Sequence, residues 1–233
     1  MNKVFNSGVQ IRSNSFAEYF DGRVHGYQIE FDPSERAWTG GIYDEGRRGW
    51  LNDVTHDDKA RSAIMLDKWN KIRVEAYGNS IKTWVNGIPV ANLLDDMTAS
   101  GFIGLQVHNV SENDAGHSIM WKNIRILTKN IEPYLRETSA REFSTIPNTL
   151  SSYEIENGWK LLFDGETFNG WRGAHKDHFP EKGWRIEDGA LVVENADGAE
   201  SGNGGDIVTE DEFSSFELCF EYKITKGANS GIK

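Results

Sequence analysis

Polar and apolar residues alternate with period two along most of this chain. In the stretch FELCFEYKI, Phe216, Leu218, Phe220 and Tyr222 share one side while Glu217, Cys219, Glu221 and Lys223 share the other, the signature of a strand with one buried face. The same pattern runs through VQIRS, GYQIEFD, KIRVEAY, SIKTWVNG, FIGLQVH and MWKNIRIL, each bounded by Gly, Asn, Asp or Pro. YGNSI and VNGIPV place Gly-Asn and Asn-Gly between alternating runs, and both residues accept the positive φ that tight hairpins require. GWRIEDGALVVEN reads as a further hairpin-like pair of strands. The pattern predicts an all-β sandwich.

One region breaks the rhythm. From residue 129 to 156 the chain carries Pro133, Pro147 and a Ser/Thr cluster without sustained alternation, which reads as a linker with one helical turn at PYLRETSAREF. It divides the sequence into residues 1–128, the linker 129–156, and residues 157–233. The two flanking parts share a phrase, for Asn6-Ser7-Gly8-Val9 returns as Asn229-Ser230-Gly231-Ile232.

Composition narrows the partners. A chain of 233 residues can bury roughly 70–75% of its unfolded surface, so its core needs no covalent staples. The single Cys219 excludes an internal disulfide. The net charge of −11 argues against nucleic acid and anionic membrane, because that surface repels phosphate. Neutral and cationic ligands stay open. There is no apolar run near the ~20 residues of a membrane span, and the N-terminal stretch has no apolar signal-peptide core.

The segments LLFDGETFNGW, GWRIEDGALVV, GGDIVTEDEFSSFELCFEYKITKGANSGI, NSGVQIRS, GYQIEFD, WTGGIYDEGRRGWL, KWNKIRVEAYGNSIKTWVNGIPVANL and GFIGLQVH with WKNIRI together resemble the 3-keto-disaccharide hydrolase family. The resemblance covers nearly everything outside the linker. It implies a concanavalin- or laminin-G-like jelly roll, a carbohydrate or glycoside ligand and an extracytoplasmic setting. The order differs from the family's. Residues 6–128 resemble the later half of a family domain and 157–233 the earlier half, as in a slice from a tandem array or a circular permutant. Domain termini lie close together at the surface, so the expectation is one jelly-roll sandwich assembled from both halves. The rival is an exchange of halves between two chains, giving a dimer.

Three strands place polar pairs opposite apolar ones: Gln10 and Arg12 against Val9 and Ile11, Gln28 and Glu30 against Tyr27, Ile29 and Phe31, and Gln106 and His108 against Leu105 and Val107. Side by side they form either one polar groove or an ordinary solvated sheet face. The loop DPSERAWTGGIYDEGRRGWL offers Trp38, Tyr43 and Trp50, either as faces on which a sugar stacks or as anchors that pin the loop. In the same loop Asp44, Glu45, Arg47 and Arg48 read as a solvated charge cluster, and Trp84 reads as packing. A 3-keto sugar has an acidified C2 hydrogen. A base removes it, an electrophile steadies the enolate, the C1 substituent leaves, and water adds to the enone. In that scheme Glu30 or His108 serves as base or acid, with Arg12 or a bound divalent cation on the enolate. Gln10, Gln28, Gln106, Trp38, Tyr43, Trp50 and Asn229 are the candidate substrate contacts. Many relatives carry Glu then Gln on the strand that here reads Gln28 then Glu30, which displaces the carboxylate by one alternate position. His25 and His117 are weaker candidates. His175, Asp177, His178 and Glu181 have only loose metal-ligand spacing, and the acidic loop with Asp197, Glu200 and Asp206 lacks the EF-hand spacing for Ca²⁺. The same sandwich also hosts non-catalytic carbohydrate-binding and laminin-G-type interaction modules.

Overall fold

The structure, a computed structural model, describes residues 6–108, 118–194 and 204–232, and the chain divides into two compact units, 1–161 and 162–233. His117, Asp197 and Glu200 lie outside the described residues.

Unit 1 is a two-sheet sandwich. One sheet contains β1 (Ser7–Asn14), β2 (His25–Phe31), β3 (Ile42–Glu45), β4 (Gly49–Asn52) and, after three intervening strands, β8 (Phe102–Leu105). Those three strands, β5 (Ile72–Tyr77), β6 (Ser80–Val85) and β7 (Ile88–Leu94), build the second sheet with β9 (Glu142–Ser144). The spatial orders are β4-β3-β2-β1-β8 and β5-β6-β7-β9. All pairs are antiparallel except β7 with β9. The Asn-Gly turn behaves as its chemistry dictates: Asn86 (φ 52) and Gly87 (φ 85) close β6 on β7.

The alternation sets the core. Ile11, Tyr27, Ile29 and Ile42 from the first sheet meet Ile81, Ala91 and Leu93 from the second. A second cluster, Val54, Ala60, Ala63, Val85 and Val90, closes one end and takes Trp38 against it. An ionic network also lies within unit 1. Tyr27 and Thr145 donate their hydroxyls to Asp95, Arg48 bridges Asp95 and Asp44, and Arg47 also binds Asp44. Burial and the bond to Asp95 push the Tyr27 phenol up to about 12. The charge cluster expected to be solvated is thus partly interior, with Asp44 fully buried.

Residues 129–156 do more than connect. Glu142–Ser144 extends the second sheet, Arg136 donates its backbone N–H to Glu75, and a short helix α2 (Ser152–Glu156; α1 is Asp58–Arg61) opens with Ser151 and Glu154 capping each other reciprocally. Pro133 and Pro147 sit in turns, and Ser151 is a helix cap. The boundary between units falls after Leu161.

Unit 2 contains two hairpin-sized sheets, β10 (Trp171–Gly173) with β13 (Ile207–Thr209) and β11 (Trp184–Glu187) with β12 (Ala190–Val193). The β11–β12 turn uses Asp188 (φ 50) and Gly189 (φ 72), as expected from its sequence. The alternating stretches at 118–127 and 216–224 carry no strand, and Phe216, Leu218, Phe220 and Tyr222 are exposed. Among the described residues, the strands of the two sheets of unit 1 all lie between Ser7 and Ser144. Alternation specifies a face to bury but supplies no ladder partner. Among the described residues no helix is long and apolar enough to cross a membrane.

Candidate active site on the outer sheet face

Residues paired directly across an antiparallel ladder share a face. The registers therefore line up Trp50, Tyr43, Gln28, Gln10 and Gly104 across the five-stranded sheet, on the side away from Tyr27 and Ile29. The adjacent row holds Glu30 and Gly8, and Gln106 donates its N–H to the Gly8 carbonyl. A chain of hydrogen bonds crosses these rows in one direction. Ser13 Oγ donates to Gln10 Oε1 (2.8 Å), Gln10 Nε2 to Gln28 Oε1 (2.7 Å), and Gln28 Nε2 to Glu30 Oε2 (2.8 Å). Asn6 Nδ2 donates to the other carboxylate oxygen at 2.7 Å. Each amide passes on a donor, and the chain ends on the group that, when ionised, only accepts.

Two glycines make room for this. A Cβ at Gly8 would meet Gln28 Cγ at 2.7 Å, and one at Gly26 (φ +138) would meet Ser13 Oγ at 2.4 Å. Gln10, Gln28 and Glu30 are consequently buried, at 4%, 2% and 3% exposure, where a solvated face was one of the two expectations. Burial pushes the Glu30 carboxyl above its ordinary value of 4.5. The Gln28 hydrogen bond, Arg36 and Asn6 oppose this, and the charge of Asp32 adds to it.

The β2–β3 loop is wired onto Asp32. Its carboxylate accepts from Ser34 N (3.0 Å) and Arg36 Nε (2.7 Å), and its backbone N–H donates to Thr39 Oγ1 (2.8 Å). Burial raises the Asp32 pKa, but these donors outweigh it and hold the carboxyl below its usual value. The loop lays the Arg36 guanidinium over Trp38 (4.4 Å) and Trp50 (5.1 Å), with Nη2 3.9 Å from Glu30 Oε1.

Of the residues expected at the site, Gln10, Gln28, Glu30, Tyr43, Trp50 and Gln106 share this face. Among the described residues, Gln106 Oε1 is buried without a hydrogen-bond partner, as is Asn6 Oδ1. His108 is exposed, two residues beyond Gln106. Arg12 does not join them. A bulge between Ile11 and Asn14 puts Arg12 at φ 46, hands the outward position to Ser13, and sends Arg12 Nη1 to the Gly78 carbonyl of the β5–β6 turn. Trp38 packs on the second core cluster and edge-on to Trp50, which itself meets Tyr43 edge-on. These are the contacts expected of an anchor at Trp38. Trp84 is buried packing, and His25 is buried against Tyr19. In unit 2, Asn229 is exposed, and an open pocket is lined by Arg172, His175, Lys176, Asp177, His178 and Glu210. Among the described residues no group of three or more His, Cys, Asp or Glu is placed to hold a metal ion. Sequence reading missed Arg36 and Asp32. The signal was present in DPSER, a carboxylate four residues before an arginine in a loop that leads into Trp38.

The model of the 3-keto-alpha-glucoside-1,2-lyase-like domain matches residues 1–127 and 158–233. The chain belongs to this family. A 3-keto-disaccharide hydrolase of Bacteroides thetaiotaomicron is 49% identical to it over 78 residues, which cover 33% of this chain and 27% of that protein. The chain thus matches only about a quarter of that relative's length. Glu30 lies on the outer face of the larger sheet, and its carboxylate is buried there.

Proposed function

We propose that this chain cleaves the C1 bond of 3-keto glycosides by abstracting the C2 proton, with Glu30 as the base. The observation that carries the reading is Glu30 itself: a carboxylate buried on the outer sheet face, pushed up by desolvation, and held in one orientation by Gln28 and Asn6. Family membership and the relative's name support carbohydrate hydrolase or lyase chemistry. A buried carboxylate with a raised pKa is a stronger base than a free one once ionised, and the amide donors fix which oxygen faces the proton. The C2–H pair moves into the C2–C3 bond as the ketone becomes an enolate. Its collapse forms the C1–C2 double bond and expels the C1 oxygen, which takes up a proton. Water adding at C1, with a proton returned to C2, completes a net hydrolysis. Incubation with a methyl 3-keto-glucoside and its unoxidised parent tests the reading. Cleavage of the ketone alone supports it, equal cleavage of both contradicts it, and binding without cleavage of either assigns the chain to the carbohydrate-binding modules.

A further inference from the structure

We propose that Arg36, and not Arg12, is the catalytic cation that receives the enolate oxygen in this reaction, and the inference rests on the reading of Glu30 given above. Carbon-acid chemistry next to a ketone needs two groups that converge on neighbouring atoms: a base at the C2 hydrogen and a donor at the C3 oxygen, where charge develops. Arg12 is not placed to serve beside Glu30, because the bulge after Ile11 sends its side chain to the Gly78 carbonyl of the β5–β6 turn, in the other sheet.

Arg36 meets each requirement. Its Nη2 lies 3.9 Å from Glu30 Oε1, too far for a hydrogen bond and close enough for both groups to reach adjacent atoms of one sugar ring. Its Nε is tied to Asp32, while among the described residues Nη1 and Nη2 hold no hydrogen-bond partner, which leaves a fork of donors for an oxyanion. The side chain is 41% exposed where that of Glu30 is 5% exposed, so the guanidinium is open to solvent beside a buried carboxylate. Trp38 and Trp50 beneath the guanidinium keep its plane in place and its surroundings apolar. Asp32 sets the position through Nε. Ketone binding requires no broken hydrogen bond at Arg36, and preorganised donors of this kind are worth about 10²–10³-fold in turnover.

The test compares the protein with Arg36→Gln, Arg36→Lys and Arg36→Gly on methyl 3-keto-glucoside. Arg36→Gln is expected to lose about 10²–10³-fold in kcat with a smaller change in KM. Added guanidinium ion should restore part of the turnover of Arg36→Gly. Arg36 favours the ionised form of Glu30, so its removal should also move the acid limb of kcat/KM to higher pH. A merely structural loop residue would produce neither the rescue nor that shift. A native protein that turns over the ketone while Arg36→Gln stays within threefold of it, or loses only KM, overturns the role of Arg36 and leaves the reading of Glu30 standing. A native protein that does not cleave the ketone overturns both.

Discussion

Asp95 offers a perturbation whose size follows from its surroundings. It is 2% exposed and accepts Arg48 Nη1 at 2.7 Å, Arg48 Nη2 at 3.1 Å, the Met97 N–H at 3.1 Å and the hydroxyls of Tyr27 and Thr145. Burial alone would raise its pKa, but the donors prevail and hold it at about 2 against an ordinary 3.8. A carboxyl depressed on folding stabilises the native state fully above the unfolded value and loses that contribution as pH falls through the folded one. Here the contribution is roughly 2 to 3 kcal/mol above pH 4, lost between about pH 4 and 2. Asp95→Asn keeps the shape but removes the charge that faces Arg48. Because Arg48 retains Asp44, the expected loss at pH 7 is about 3 kcal/mol, the low end for a broken buried pair. Urea unfolding at pH 7 and pH 2.5 reads it. The gap between native protein and variant should shrink by roughly 2 kcal/mol at the lower pH. An equal gap at both values would refute the electrostatic account. The consequence reaches the site, because the same arginine holds the β3–β4 hairpin that presents Tyr43 and Trp50.

Glu30→Gln should depress turnover by about 10²–10⁴-fold, measured on the 3-keto glycoside at saturating concentration. Because burial raises Glu30, the acid limb of kcat/KM should lie above 4.5, with activity lost as pH falls through it; a limb at or below that value contradicts the assignment. Arg12→Ala should leave turnover within about threefold, since its partner is a turn carbonyl of the other sheet, and a hundredfold loss would return it to the site. Trp38→Ala should cost about 3–5 kcal/mol in thermal or urea unfolding, as expected of an aromatic anchor on a core cluster, and unchanged stability would make it a sugar platform instead.

Much of unit 1 was legible because alternation and turn chemistry are local. VQIRS, GYQIEFD, KIRVEAY, SIKTWVNG and FIGLQVH all contain strands, and Asn86-Gly87 makes the turn its residues favour. The period-two rule also put Gln10, Gln28 and Glu30 on one face. It failed at Arg12, where the bulge depends on β2 and β8 flanking β1 with different registers, a long-range fact absent from the local pattern. It failed again at Arg36, because a loop has no period. The loop's geometry comes from Asp32 binding residues further along, and only coordinates show the guanidinium turned toward Glu30. The strand at Glu142–Ser144 was hidden for a related reason: three residues are too few to display alternation, and their partner lies some fifty residues earlier in β7.

The most direct test of the central claim is solvent deuterium incorporation at C2 during turnover of a 3-keto glycoside in D₂O, followed by NMR of the released sugar. Proton abstraction by Glu30 predicts deuterium at C2 of the product, and loss of both incorporation and cleavage in Glu30→Gln. Product released at full rate with hydrogen retained at C2 would contradict enolate chemistry and leave direct displacement at C1.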